Sequence, residues 1–133
     1  MIDIPEEIIG HTEEFTQERV NQYAVASGDH NPIHIDPEYA LTTPFKATIV
    51  HGMLVFGVLA EMLVGQFGES MMRGVSLKVR FRAPVYVGTI VFPRAKFRAD
   101  STESGLRIVE YRISCADQQG TIFVDGTARF EWV

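Results

Sequence analysis

The sequence predicts an α+β domain in which an antiparallel sheet wraps around one long apolar helix. Helical patterns fill the first half of the chain and four consecutive strand-like stretches fill the second, an order typical of this class. Between the two halves, residues 52–67 are apolar on nearly every side. A helix of that kind must be surrounded by protein, and in a chain of 133 residues a curved sheet surrounds it most simply.

The first half of the chain contains the signals of a helix followed by an ordered loop. Residues 17–27 carry apolar or small side chains at helical spacing, and Thr16 directly before them is a good N-cap. Residues 28–36 indicate a loop that Pro32 stiffens, because proline fixes its own backbone and restricts the residue before it. A short helix is expected to follow this loop, and residues 42–50 indicate a connection to the apolar helix.

The second half of the chain alternates apolar and polar residues with the period of two that half-buried antiparallel strands show. The four predicted strands cover residues 75–82, 91–99, 109–115 and 122–130. Pro93 lies within the second of them, which predicts an edge position or a bulge there. In the first two strands, six polar positions of the alternating pattern are basic: Lys78, Arg80, Arg82, Arg94, Lys96 and Arg98.

Composition and charge exclude several classes of protein. With 46% hydrophobic and 22% charged residues, the chain is expected to form a single globular domain over residues 1–133. A net charge of −5 argues against nucleic acid as a partner, and the apolar run at residues 53–60 is short for a membrane span. Cys115 is the single cysteine, and the N-terminal residues resemble no secretion signal, so a cytoplasmic location is expected.

Three positions have the residue types that hydration of an α,β-unsaturated thioester needs. Asp29 and His34 lie five positions apart on the stiffened loop, close enough to act on one water as acid and base. Gly52 begins the apolar helix, where unpaired N–H groups and the positive end of the helix dipole can hold an anionic oxygen. Glycine at that position also lets a ligand approach the backbone closely.

Each of these residues also has a purely structural interpretation. An aspartate after glycine is common turn chemistry, and a single histidine in a loop is often only hydrogen-bonded there. A metal site is a competing use of the five residues Asp29, His30, His34, Asp36 and His51. Because Pro32 disrupts the helix that the spacing of His30 and His34 would need, the sequence predicts no metal. Taken one at a time, these residues do not decide the function.

Two longer stretches resemble a known family. Residues 23–40, which read YAVASGDHNPIHIDPEYA, closely resemble the hydratase-2 motif of the MaoC-like family, whose members include the (R)-specific enoyl-CoA hydratases. Residues 45–54, FKATIVHGML, resemble the family's stretch before its central helix. The resemblance implies a hot-dog fold, in which a curved antiparallel sheet wraps around a long helix. It also implies that no cofactor is needed beyond the coenzyme A that is part of the substrate.

The resemblance further implies the roles of individual residues. Asp29 and His34 would be the catalytic pair that adds water to trans-2-enoyl-CoA and gives (R)-3-hydroxyacyl-CoA, with the order of acid and base left open. The Gly52 N–H would hold the thioester oxygen, and Asn31 matches an asparagine of the motif, for which we expect a supporting role in the loop. Two alternatives stay open, namely a hot-dog acyl-CoA thioesterase and a non-catalytic acyl-CoA-binding subunit.

Two further expectations concern assembly and the acyl chain. A single small sheet leaves exposed edges, and since such edges are normally paired or covered, we expect a homodimer or a higher homo-oligomer. An acyl chain whose thioester lies at Gly52 would run along the apolar helix. It would then pass Phe56, Ala60 and Leu63, which share one helix face, although the neighbouring subunit could set the chain length instead.

Overall fold

The computed structural model describes residues 2–133, which contain six β-strands and four α-helices. Before the long helix, the chain forms β1 (Glu7–Ile9), β2 (Glu13–Glu14), α1 (Gln17–Ser27), α2 (Pro32–Ile35) and α3 (Pro37–Leu41). The long helix is α4 (Gly52–Phe67), and a 3₁₀ turn (Gly68–Met72) follows it. The remaining strands are β3 (Val75–Phe81), β4 (Ile90–Glu103), β5 (Leu106–Ala116) and β6 (Ile122–Trp132).

The strands form one antiparallel sheet in the order β1-β4-β5-β6-β3, and β2 adds a second short pairing with β4. The α+β prediction is confirmed, and the predicted bounds of α1 and α4 agree with the structure. The predicted loop at residues 28–36 contains one helical turn, α2, because Pro32 occupies the first turn of a helix, where its missing N–H costs nothing. The two short strands β1 and β2 were not predicted from the sequence.

The prediction of an edge position or a bulge at Pro93 is wrong. Pro93 pairs with Cys115, and β4 lies inside the sheet between β1 and β5. The carbonyl of Pro93 accepts a hydrogen bond from the N–H of Gly10, just after β1 has ended. The missing N–H of Pro93 therefore falls where the neighbouring strand is already over, and the irregularity in β4 lies between Phe97 and Ala99 instead.

The core lies between α4 and the sheet. One face of α4 is buried there, through Val55, Val58, Leu59, Met62, Leu63 and Phe67. The opposite face is exposed within this chain, with Met53 58% and Val64 51% exposed, so α4 is not surrounded on every side as predicted. By length and composition alone, the segment Gly52–Met72 is apolar enough to cross a membrane. A core helix can have the same length and composition, and one face of this helix packs against the sheet as a core helix does.

Candidate active site

The loop after α1 is folded by hydrogen bonds from its own side chains. Gly28 ends α1 with a backbone φ of 79°, which glycine adopts without strain. The Asp29 carboxylate then accepts the N–H of Asn31 at 3.2 Å, and the Asn31 side-chain oxygen accepts the N–H of Ile33 at 3.1 Å. Asn31 is thus the N-cap of α2, the helical turn that carries His34.

His34 is held in one orientation by the backbone. Its Nδ1 lies 2.7 Å from the carbonyl oxygen of Ile49. Since a carbonyl only accepts, Nδ1 carries the hydrogen, and Nε2 of the neutral ring has its lone pair available. That Nε2 lies 3.9 Å from Oδ2 of Asp29, with the His34 side chain 12% and the Asp29 side chain 53% exposed. The structure therefore brings the predicted pair together, at a separation that leaves room for a bridging group.

His51 is a third member of the site, although its sequence position suggested only a metal ligand or a helix start. It is 2% exposed, and its Nε2–H donates to the backbone carbonyl of Asp29 at 3.0 Å. Its ring stacks on that of His34, with ring centroids 3.9 Å apart and planes at 25°, and meets the edge of Tyr23. Burial lowers the pKa of His51 and outweighs the hydrogen bond to Asp29, which raises it, so the neutral form of the ring is favoured.

One atom of this group has no partner. Among residues 2–133, no donor or acceptor reaches Nδ1 of His51, although the atom is fully buried. Buried polar atoms in folded proteins are nearly always paired, and the exceptions call for an explanation.

The sequence signal that could have identified His51 is its position directly before Gly52, within the second stretch that resembles the MaoC-like family.

Three residues of the site have the donor types of a metal centre, because ligand atoms of Asp29, His34 and His51 lie within 4.8 Å of one another. The stacking of the rings argues against a metal. A histidine lone pair lies in the plane of its ring, and two nearly parallel rings direct their lone pairs side by side instead of towards one point. His30 and Asp36, the other residues with a possible metal role, do not belong to this group of described residues.

Gln17 ties the site to the helix before it. Its side-chain N–H donates to the backbone carbonyl of His34 at 2.8 Å, and its side-chain oxygen accepts the hydroxyl of Thr48 at 2.8 Å. Thr48 is buried and lies shortly before α4. One glutamine of α1 thereby connects the two segments that carry His34 and His51, a connection that the sequence pattern does not reveal.

Gly52 begins α4 beside His34, at the wall of a cavity of about 330 Å³. The first N–H groups of α4 have no partner within the helix, and the helix dipole adds positive potential there. A side chain at Gly52 would be crowded, since an added Cβ would lie 3.1 Å from the ring of Phe81. The rest of the cavity wall is largely apolar and includes Phe45, Val55, Phe81, Val85 and Val124.

The residues expected to line an acyl pocket are placed differently. Of the described residues of α4, the cavity wall includes Gly52 and Val55 but none of Phe56, Ala60 and Leu63. Leu63 is fully buried in the core, while Phe56 and Ala60 are half-buried. Val55 is one position before Phe56, and one helical step of about 100° separates the two faces. The structure thus does not bring these three residues to the cavity beside His34.

Comparison with known proteins agrees with this architecture. The MaoC-like domain family matches residues 5–114. The 3-hydroxyacyl-thioester dehydratase Z of Mycobacterium tuberculosis is 38% identical over 121 residues, which cover 86% of this chain and 74% of that protein. The (R)-specific enoyl-CoA hydratase of Aeromonas caviae is 36% identical over 118 residues, covering 86% of this chain and 84% of that one.

The likeness extends to three dimensions. The solved structure of the (R)-hydratase from A. caviae superposes with a TM-score of 0.81 at 26% identity, covering 99% of this chain and 98% of that chain. R-hydratase PhaJ1 from Pseudomonas aeruginosa superposes with a TM-score of 0.80 at 25% identity, covering 96% of this chain and 80% of that chain. The expected hot-dog architecture is therefore confirmed, and the chain belongs to the MaoC-like family of hydratases and dehydratases.

Proposed function

We propose that this protein adds water to trans-2-enoyl-CoA to give (R)-3-hydroxyacyl-CoA, and catalyses the reverse dehydration. The observation that carries the proposal is the pairing of Asp29 with the available Nε2 of His34 beside the start of α4. The name of the A. caviae relative supports the same reaction, and its sequence covers most of this chain.

The chemistry needs two proton transfers and one site for negative charge. One residue of the pair removes a proton from water as its oxygen bonds to C3 of the enoyl group, and the electron pair moves to the thioester oxygen. Backbone N–H groups at Gly52 stabilise that enolate oxygen. The second residue, which holds a proton at the start of the reaction, then gives that proton to C2. Proton exchange with solvent returns the pair to its starting state, so that atoms and charge balance. Either assignment satisfies this scheme: His34 as base uses its free Nε2 and requires a proton on Asp29, whereas Asp29 as base requires a proton on Nε2 of His34.

His51 contributes as a positioning residue in this proposal. It holds the backbone of Asp29 by a hydrogen bond and supports the ring face of His34, so both members of the pair rest on one buried side chain. Because burial lowers the pKa of His51, a positive charge on its ring beside His34 is disfavoured. A misplacement of about 1 Å in a reacting group can cost about a hundredfold in rate, which gives such support catalytic value.

The thioesterase alternative needs a carboxylate or another base near the thioester carbonyl. Glu61, the acidic residue of α4, lies nine positions after Gly52, which corresponds to about 13 Å along the helix. It is exposed and borders a different depression, next to Ile9 and Gly65. This placement favours hydration over hydrolysis.

An assay with crotonyl-CoA distinguishes the three candidate functions. Hydration removes the enoyl absorbance and leaves the thioester intact, hydrolysis releases a free thiol, and a binding subunit does neither. We expect loss of absorbance without thiol release, and a product with the (R) configuration at C3. Thiol release at a comparable rate, or an (S) product, would contradict the proposal.

We further propose that the protein is a homodimer, with the exposed face of α4 in the interface. Met53 and Val64 lie on this face with Gly57 and Ala60, and they form an apolar stripe along the helix. Val64→Arg should weaken the dimer, whereas Val25→Arg, on the exposed side of α1, should not. Sedimentation of the wild type as a 14.9 kDa monomer at micromolar concentration would rule the dimer out.

A further inference from the structure

The face of the sheet that points away from α4 carries a groove of about 670 Å³ with a basic lining. Three of its cations come from β3 and the residue after it: Lys78, Arg80 and Arg82. Three more come from β4: Arg94, Lys96 and Arg98. Arg112 of β5 lies between the two sets. Seven of the 12 lysines and arginines of an acidic protein thus line one groove.

The strand register explains how these side chains come together. Neighbouring strands align two rows of residues across the sheet: Lys96, Arg112, Thr127 and Lys78 in one row, and Arg94, Ser114, Asp125 and Arg80 in the other. Short side chains such as Ser114 and Thr127 therefore form the floor. Long cations rise on both sides, on β4 and β3, which are three strand spacings or about 14 Å apart.

Among the described residues, two acidic side chains, Glu7 and Asp125, line the groove beside its seven cations, so the groove stays positively charged. Two other acidic residues of these strands, Glu103 of β4 and Glu110 of β5, both pair with Arg129, at 3.2 and 3.5 Å. Within residues 2–133, the one ion pair in the groove joins Arg82 to Asp125. Cations that face one another on adjacent strands, as Lys96 and Arg112 do, repel each other. An arrangement of this kind is favourable when an anion lies between the cations.

The position of Arg82 points to the anion. Arg82 lines the basic groove and also the cavity that contains His34 and Gly52, so the two depressions adjoin at the end of β3. A coenzyme A thioester whose reacting carbons lie at Gly52 extends its pantetheine arm out of that cavity. The far end of the arm carries a pyrophosphate and a ribose 3′-phosphate, which are polyanionic and match the charge of the groove.

We propose that the basic groove on the outer face of the sheet binds the 3′-phospho-ADP end of the coenzyme A thioester. The proposal rests on the proposed function for the identity of the ligand, and it goes further by assigning a second, separate binding region on the opposite side of β3 from α4. It also specifies coenzyme A as the group that carries the acyl chain, because the groove would bind the nucleotide of coenzyme A and not the acyl group.

Charge reversal tests the proposal with a pair of substrates that differ only in the nucleotide. We compare Arg80→Glu and Arg112→Glu with wild type on crotonyl-CoA and on crotonyl-pantetheine, with Arg73→Glu as a control for overall charge. Arg73 is exposed and lies outside the groove lining. We expect KM for crotonyl-CoA to rise about five- to tenfold in the two groove variants, with kcat and the KM for crotonyl-pantetheine unchanged. The control should change neither.

A direct titration with adenosine 3′,5′-bisphosphate keeps the test independent of turnover. We expect wild type and Arg73→Glu to bind the bisphosphate, and the groove variants to bind it several-fold more weakly. This result does not depend on hydration of an enoyl thioester, so a failure of hydration would refute only the proposed function. Equal KM changes for both substrates, or no binding of the bisphosphate, would overturn the proposal. A KM rise confined to a crotonyl thioester of an acyl carrier protein would overturn it as well, in favour of a protein carrier.

Discussion

The two ends of α4 are surrounded very differently. At its C-terminal end, Phe67 packs against three aromatic rings, those of Phe130, Trp132 and Tyr111, with centroid distances of 4.6, 5.6 and 5.7 Å. The polar atoms there are paired, since the Tyr111 hydroxyl donates to the carbonyl of Pro5 at 2.6 Å and the Trp132 indole N–H donates to that of Ser70 at 3.1 Å.

The N-terminal end of α4 lies at a cavity, beside the buried Nδ1 of His51, which has no partner among the described residues. The first N–H groups of a helix also have no partner within the helix. Close packing with satisfied polar groups stabilises a fold, whereas unpaired groups beside a cavity cost stability and remain available to a ligand. The same helix therefore has a stabilising end and a reactive end. Substitutions at the two ends should therefore separate stability from activity.

The largest effect on stability should come from Phe67→Ala at the packed end. Removing a buried aromatic ring leaves a cavity and should lower the free energy of unfolding by about 3–5 kcal/mol. Denaturant titration measures this loss, and Phe67→Leu, which fills more of the space, should lose clearly less. A loss of under about 1 kcal/mol for Phe67→Ala would show that the aromatic cluster does not anchor α4.

At the reactive end, His51→Phe should act mainly on activity. Phenylalanine retains a ring that can stack on His34 but cannot donate to the Asp29 carbonyl. We expect kcat to fall about tenfold, while the free energy of unfolding changes by no more than about 1 kcal/mol. His11→Phe, at an exposed histidine outside the site, is the matched control. Wild-type kcat in His51→Phe would remove His51 from the catalytic arrangement.

A smaller effect should appear in the pH dependence of stability. Burial lowers the pKa of His51 in the folded protein, whereas in the unfolded chain it is near 6.5. Between these two values the unfolded chain binds a proton that the folded protein does not, so the free energy of unfolding decreases as the pH falls below about 6.5. Denaturant titrations at several pH values should show a shallower decrease for His51→Phe. Identical slopes would mean that the buried ring titrates normally.

Much of the fold could be predicted from the sequence, because local patterns determine it. The helical spacing of residues 17–27 and the apolar segment 52–67 gave the bounds of α1 and α4, and the alternation of residues gave β3 to β6. The position of Pro93 could not be predicted, because it depends on where β1 ends, about 85 residues earlier in the chain.

The residues of the site also fall into two groups, those that the local sequence predicts and those that only the tertiary structure brings together. Asp29, Asn31 and His34 lie on one short loop, so their proximity follows from spacing and from the hydrogen bonds of the loop. The role of His51 depends on its hydrogen bond to the backbone of Asp29, 22 positions earlier in the chain, and no local sequence pattern predicts that contact. The cavity wall also depends on tertiary structure, because Phe81 and Val124 reach it from distant strands.

The most direct test of the catalytic pair compares the turnover of crotonyl-CoA by wild type, Asp29→Asn and His34→Ala. Asparagine has the shape of aspartate but cannot take up a proton, so each substitution removes one member of the pair. We expect kcat to fall about a hundredfold or more for each variant, with the free energy of unfolding close to that of wild type. A folded variant that retains more than about a tenth of wild-type turnover would contradict the assignment of Asp29 and His34 as the catalytic pair.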